Sequence, residues 1–251
     1  MDLTAVKQIV QDTPHMSLAK ARTITSFIRE HDLRDILELG FRFGVSTTYM
    51  AGALQDLDGG HITAIDLEIV RDGEENIERF LDEAGLRSLV TVHYEPTSYT
   101  WRLMRMLEED TGPRFDFCYL DGAHDWFVDG FAFFLVDRLL RPGGWIIFDD
   151  LDWTFASSGT LSQTERVRAM PDDERVTPQV RKVYELLVKT HPSYGNFQVV
   201  DDWAYAQKLR TPAASGGQRE VVREVVVQRE RYGLGAVVVN AARRARRRLA
   251  R

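Results

Sequence analysis

Apolar residues follow two different rhythms along the chain. Over residues 3–31 they recur at helical spacing, at Val6, Ile9 and Val10 and again at Ile24, Phe27 and Ile28. Pro14 divides this stretch into two helices, because a proline interior to a helix removes a hydrogen bond and clashes with the turn before it. From Asp35 onward, short apolar runs alternate with longer amphipathic ones. Strands are predicted at 35–39, 61–65, 89–94, 115–120 and 145–148, and helices at 46–54, 74–84, 98–108 and 126–140. Strands separated by helices predict an α/β fold, a parallel sheet wound on both faces by helices. After Asp150 the rhythm breaks. Residues 151–175 read as polar and irregular, 178–190 as a helix, and 197–200 with 204–209 as an antiparallel pair that closes the sheet.

Composition adjusts this picture in four ways. At 251 residues, 44% hydrophobic, the chain can bury a substantial core, and wholesale disorder is excluded. The longest apolar run, Phe131 to Val136, is too short for a bilayer, and the N-terminus lacks a signal-peptide pattern, so a cytoplasmic location is the expectation. The single cysteine, Cys118, excludes an internal disulfide and any cysteine-based zinc cluster. Charge is uneven. Arg219 to Arg251 holds ten Arg and three Glu, a net +7, whereas the overall −6 leaves the preceding residues at −13.

The chemistry gathers at the predicted strand ends. The first strand runs into Glu38-Leu39-Gly40-Phe41-Arg42-Phe43-Gly44-Val45-Ser46. Gly40 and Gly44 let the backbone turn tightly and come close to a ligand, and the free N–H groups of the following helix suit an anion. The spacing is neither Gly-x-Gly-x-x-Gly nor a P-loop. Asp66 at the tip of strand two stands where an acid accepts both ribose hydroxyls of a nucleoside. Asp121 ends strand four, and Asp149 with Asp150 ends strand five. In the usual order 3-2-1-4-5 these two strands are neighbours, about 4.8 Å apart. Three carboxylates so close repel unless a cation neutralises them, and an all-oxygen set suits Mg²⁺ or another hard divalent ion. The alternative is that they are turn and cap residues. His124, three residues beyond Asp121, is positioned to take a proton from a hydroxyl bound beside such an ion. Asp125 and Asp152 are the fallback bases.

Taken together, Glu-Leu-Gly-x-x-x-Gly, the acid after strand two, Tyr-Leu-Asp-Gly-Ala-His and Leu-Arg-Pro-Gly-Gly-Trp-Ile-Ile-Phe-Asp-Asp resemble a class I S-adenosylmethionine-dependent methyltransferase over residues 35–210. Within that superfamily the chain resembles the metal-dependent O-methyltransferases that act on catechols and macrolide sugars, some of which share the Asp-x-x-His spacing. The resemblance implies a Rossmann-like, doubly wound, seven-stranded sheet, mostly parallel with an antiparallel end strand. It implies S-adenosylmethionine as cofactor, with Glu38, Gly40 and Gly44 shaping the methionine side of its pocket, Ser46 holding its carboxylate and Asp66 its ribose. Glu95 to Ser98 would border the adenine. Asp121, Asp149 and Asp150 would hold the metal, with Asp121 and His124 as the catalytic pair. Residues 1–34 would be a helical lid segment, with Pro14-His15-Met16 as its working part, and 211–251 a linker and basic tail.

The expected reaction is metal-assisted methylation of a hydroxyl on a small molecule or glycosyl group. A catechol-like phenol, or a non-catalytic cofactor-binding scaffold, stands as the alternative. Trp153 and Phe155 fall where an acceptor would be covered, and could equally be core. Nucleic acid is disfavoured as a partner by the acidic body and by the absence of an Asn/Asp-Pro-Pro-Tyr pattern. The tail, read as amphipathic helix over 219–231, suits a solvated arm, a peripheral membrane contact or a subunit contact, and a homo-oligomer stays open.

Overall fold

The computed structural model describes residues 3–211, apart from positions 12, 74 and 111, together with the backbone of Val225–Val227. The predicted linker and nearly all of the basic tail lie outside the described residues.

Two N-terminal helices, α1 (Leu3–Val10) and α2 (Leu18–Glu30), precede the alternating core. There β1 (Asp35–Leu39), α3 (Val45–Asp56), β2 (His61–Leu67), α4 (Ile77–Glu83), β3 (Val90–Glu95), α5 (Tyr99–Glu109), β4 (Phe115–Leu120), α6 (Trp126–Leu139) and β5 (Leu140–Phe148) follow in order. Next come 3₁₀ turns and two short helices, α7 (Glu165–Arg168) and α8 (Asp172–Val176). Helix α9 (Gln179–Val183) runs on as a π-helical turn over Tyr184–Val188, and β6 (Tyr194–Val200) and β7 (Trp203–Lys208) close the pattern. The sheet order is β3-β2-β1-β4-β5-β7-β6 with one further strand beside β6, parallel from β3 to β5 and antiparallel at the β5–β7 and β7–β6 pairs. The eighth strand, β8 (Val225–Val227), pairs parallel with β6, so this part of the tail is strand where an amphipathic helix was expected. Alternating Val and charged residues fit either state, and a free sheet edge decides between them.

Strands β1 and β4 are buried on both faces, as a central parallel sheet requires. Successive side chains feed two cores. Ile36, Phe117 and Tyr119 join α1–α4 on one side, and Leu37, Leu39, Cys118 and Leu120 join α5, α6 and α9 on the other. Helix α3 is buried from Val45 to Leu54, covered by α1 and α2. Val6, Val10, Ile24 and Ile28 are at most 2% exposed, so both N-terminal helices are structural members of the core. From this N-terminal layer, the connecting segment around His15 and the side chain of Lys20 on α2 reach the carboxyl ends of the strands.

Strand β5 begins five residues earlier than its apolar run suggested. Leu140 pairs with Phe115 before a register shift, and backbone pairing does not require apolar side chains.

Candidate active site

Backbone hydrogen bonds at the carboxyl ends of the strands lay the site residues out in one row. Gly40 N–H donates to Ile65 O at 2.9 Å, Asp121 N–H to Leu39 O at 2.9 Å, and Asp149 N–H to Leu120 O at 3.0 Å. The glycine turn is therefore stitched to β2 on one side and β4 on the other. Gly40 has φ +86°, and a Cβ there would fall 2.1 Å from the Asp121 carbonyl oxygen. Gly44 has φ +89°, and its Cβ would fall 2.5 Å from Cβ of Ile77. Both positions demand glycine for conformation and for space.

Glu38 lies beneath this turn, fully buried. It accepts hydrogen bonds from the Ser46 hydroxyl and, at 2.5 Å, from the Thr47 hydroxyl. Burial pushes its pKa up to about 7, against the opposing pull of these two donors. Glu38 thus shapes the loop from below without facing open space. Ser46, expected to donate to a ligand carboxylate, has its proton committed to Glu38, which leaves donation to the N–H groups of the first turn of α3. Asp66 accepts from the N–H groups of Phe41 at 2.9 Å and Arg42 at 2.7 Å through one oxygen, and from its neighbour Leu67 at 2.6 Å through the other. It holds the glycine loop and keeps spare lone pairs at the tip of β2. Ser98 caps α5 by accepting from Thr100 N–H at 3.1 Å. Glu95 is buried beside Arg102 at 2.6 Å.

The three aspartates do not form one set. Asp121 and Asp150 converge on His124, whose Nε2 lies 3.9 Å from an Asp121 oxygen and 3.7 Å from an Asp150 oxygen. One donor atom from each of the three can be chosen so that all lie within 4.8 Å of one another, a span that a hard divalent ion can bridge. Asp149 instead points to protein partners. One oxygen accepts from Lys20 Nζ at 2.6 Å and from Asp150 N–H at 2.6 Å, and the other accepts from the Tyr119 hydroxyl. Asp149 is thus paired with a protein cation, supplied by α2. Lys20 also reaches Asp202 at 2.9 Å and lies 5.4 Å from the ring centroid of Trp203.

Backbone strain accompanies this arrangement. His15, His124 and Asp150 all have positive φ, at 86°, 55° and 53°. Left-handed conformations are costly for residues with a Cβ and tend to collect where function demands them. At Asp150 the turn brings this side chain within 3.7 Å of His124 Nε2. Burial raises the Asp121 pKa well above the usual carboxylate range, with Asp149 and Asp150 adding to it, and raises Asp150 to about 6. Burial lowers the His124 pKa, so its imidazole is neutral at neutral pH, and its Nδ1 is buried with no hydrogen-bond partner among the described residues. Close-set carboxylates held against burial, beside a neutral imidazole, are the donor chemistry a divalent cation satisfies.

Two buried residues brace the loop that carries His124. The Tyr99 hydroxyl donates to Asp129 and accepts from Ala123 N–H at 3.3 Å. A Cβ on Gly122 would fall 2.5 Å from the Tyr99 ring. Asp129 is fully buried, which pushes its pKa up to about 7. Trp153 lies 5.0 Å from the His124 ring and forms one wall, whereas Phe155 behind it is buried core. The fallback bases are occupied elsewhere: Asp125 caps α6 and meets Arg166 at 3.3 Å, and Asp152 pairs with Arg181 at 2.6 Å. The His15 ring lies 5.4 Å from that of Phe43 and feels the charges of Asp150 and His124, so the connecting segment faces the same cluster.

Sequence reasoning missed Lys20, Tyr99, Tyr119, Asp129 and Asp202. Only Asp129, an acid inside the apolar stretch of α6, carried a local signal. A separate cavity of about 450 Å³ opens at the amino ends of β1–β4, between His61, His93, Arg102, Arg114 and Arg141. Arg102 and Arg141 already hold carboxylates there.

A parallel sheet in the order 3-2-1-4-5 with antiparallel β7 beside β5 sets a glycine turn after β1 next to an acid at the tip of β2. Residues 37–151 match a family model described as a methyltransferase domain. No curated protein matches the sequence. Among solved structures, the O-methyltransferase from Bacillus cereus in complex with SAH is 21% identical with a TM-score of 0.59, over 83% of this chain and 91% of that one. A putative caffeoyl-CoA O-methyltransferase from Staphylococcus aureus is likewise 21% identical at a TM-score of 0.59, over 83% and 92%. The O-methyltransferase TomG from Streptomyces achromogenes, involved in tomaymycin synthesis and solved with SAM, is 23% identical at 0.57, over 82% and 89%. At these identities the likeness is one of fold.

Proposed function

We propose that the protein transfers a methyl group from S-adenosylmethionine to a hydroxyl of a small molecule or glycosyl group, assisted by a divalent metal ion, with Mg²⁺ as first choice. The observation that carries this reading is the convergence of Asp121, His124 and Asp150 at the end of β4 and β5, beside the glycine turn. The solved O-methyltransferases of the same fold support the choice of oxygen as acceptor.

When bound, S-adenosylmethionine supplies the methyl group, and a divalent ion supplies positive charge beside the acceptor oxygen. Asp121 and Asp150 would hold that ion. The turn at Gly40 and Gly44 brings the backbone close to the cofactor, and the N–H groups opening α3 receive its carboxylate. Asp66 offers its free lone pairs to the ribose. His124, kept neutral by burial, takes the hydroxyl proton at Nε2 while Trp153 walls the acceptor from water. Much of the gain comes from holding oxygen and methyl in line.

Turnover after exhaustive chelation tests the metal. Activity should vanish with EDTA and return with Mg²⁺ or Mn²⁺, and full activity in EDTA would refute it. Calorimetric titration with S-adenosylmethionine tests the cofactor: no binding would overturn the whole reading. A sugar hydroxyl is preferred to a catechol because the base is a histidine of the loop after β4.

A further inference from the structure

The acidic cluster contains two overlapping groups of possible ligands. Asp121, His124 and Asp150 form one, and Asp149, Asp150 and Asp202 form the other, with Asp150 common to both. Lys20 sits in the second. Its ammonium touches Asp149 at 2.6 Å and Asp202 at 2.9 Å, and Asp149 is only 2% exposed while Asp202 is 40% exposed. Burial alone would lower the lysine pKa, yet these two carboxylates outweigh it and raise it.

We propose that Lys20 is a resident cation that claims the Asp149–Asp202 half of the cluster and thereby directs an incoming divalent ion to the Asp121–Asp150 half, beside His124. The inference rests on the metal-assisted reading above. An ammonium on a helix of the core is present at a high local concentration, and its three donors match two carboxylates 129 and 182 residues away in sequence. Asp149 cannot serve a divalent ion fully while it serves the lysine. The cluster also gains a mechanical link. Lys20 lies in the first turn of α2, capped by Ser17, so the same ion pair fixes the segment carrying His15 against the site. Lys20 is therefore a positioning residue: it neither touches the acceptor nor moves a proton.

Mn²⁺ binding, followed by loss of the free-ion electron paramagnetic resonance signal, tests this without turnover. The full-length protein is compared with K20M, K20R, D149N, D121N and the K20M/D149N pair, each checked for native circular dichroism. As single changes, D121N should abolish binding while D149N changes affinity less than about threefold. K20M should tighten binding about tenfold, within the usual coupling of charged neighbours, and D149N should cancel that gain in the pair. K20R should bind as the unaltered protein does. The proposal is overturned if K20M tightens binding equally with and without D149N, since that is a general charge effect. It is overturned equally if D149N alone weakens binding as much as D121N. Absence of Mn²⁺ binding in every variant instead refutes the metal reading itself, and this proposal with it.

Discussion

Replacing Gly40 with alanine probes a point where the glycine turn meets the backbone of the carboxylate cluster. Two separate costs are involved. An L-residue at φ +86° is strained by about 1–2 kcal/mol. The new Cβ would also lie 2.1 Å from the Asp121 carbonyl oxygen, where real Cβ contacts stay above 3.0 Å. Relief requires the ends of β1 and β4 to part by roughly 1 Å, an overpacking cost of about 1–3 kcal/mol. The Asp121 N–H to Leu39 O bond lies at that seam, and losing it adds about 1 kcal/mol. The sum is about 3–6 kcal/mol, a large share of the roughly 5–15 kcal/mol typical of a domain. Gly85 provides the control: its φ is +66°, but no described residue lies within 4 Å of a Cβ there, so Gly85→Ala bears strain alone. Urea unfolding followed by tryptophan fluorescence should show Gly40→Ala destabilised at least twice as much as Gly85→Ala. The same displacement of Asp121 should lower kcat about 10²-fold. Equal unfolding midpoints for the two variants would show that the close approach of β1 and β4 is not a constraint, and the reasoning would fail.

Other perturbations test neighbouring parts of the site. Replacing His124 with glutamine should lower kcat by about 10²–10⁴ and remove the fall in rate that protonation of the base produces in the unaltered protein, which burial shifts to a pH below the ordinary histidine value; an unchanged pH profile would remove its role. Tyr99→Phe deprives Asp129 and Ala123 of their shared partner and should cost about 1–3 kcal/mol of stability, with kcat falling more than affinity for the cofactor changes. Glu38 should make stability depend on pH. Its pKa is 4.5 when exposed and about 7 in the fold, so the native state holds the extra proton between these values and stability falls as pH rises through them, by about 3 kcal/mol. Glu38→Gln should flatten that slope in urea titrations at about pH 5 and pH 8, and a persistent slope of the same size would assign it to other groups.

The alternation from Asp35 to Phe148 was enough to read the parallel sheet, its helices and the row of strand ends, because burial on both faces leaves a period that no other fold class shares. Gly40, Gly44, Asp66, Asp121 and His124 were legible for the same reason: each stands at a fixed offset from a strand end. The N-terminal helices were visible as helices, but their place in the core over α3 was not, since amphipathic faces do not name their partners. The sheet edge made strand of Val225–Val227, where local spacing had suggested helix. The division of the aspartates depended wholly on tertiary structure. Asp149 and Asp150 are adjacent in sequence and chemically alike, yet a left-handed turn at Asp150 sends one carboxylate to His124 and leaves the other for Lys20. Local sequence fixes which residues end a strand. The cation that Asp149 meets comes from a helix 129 residues earlier in the chain, brought to 2.6 Å only when the sheet and α2 have packed.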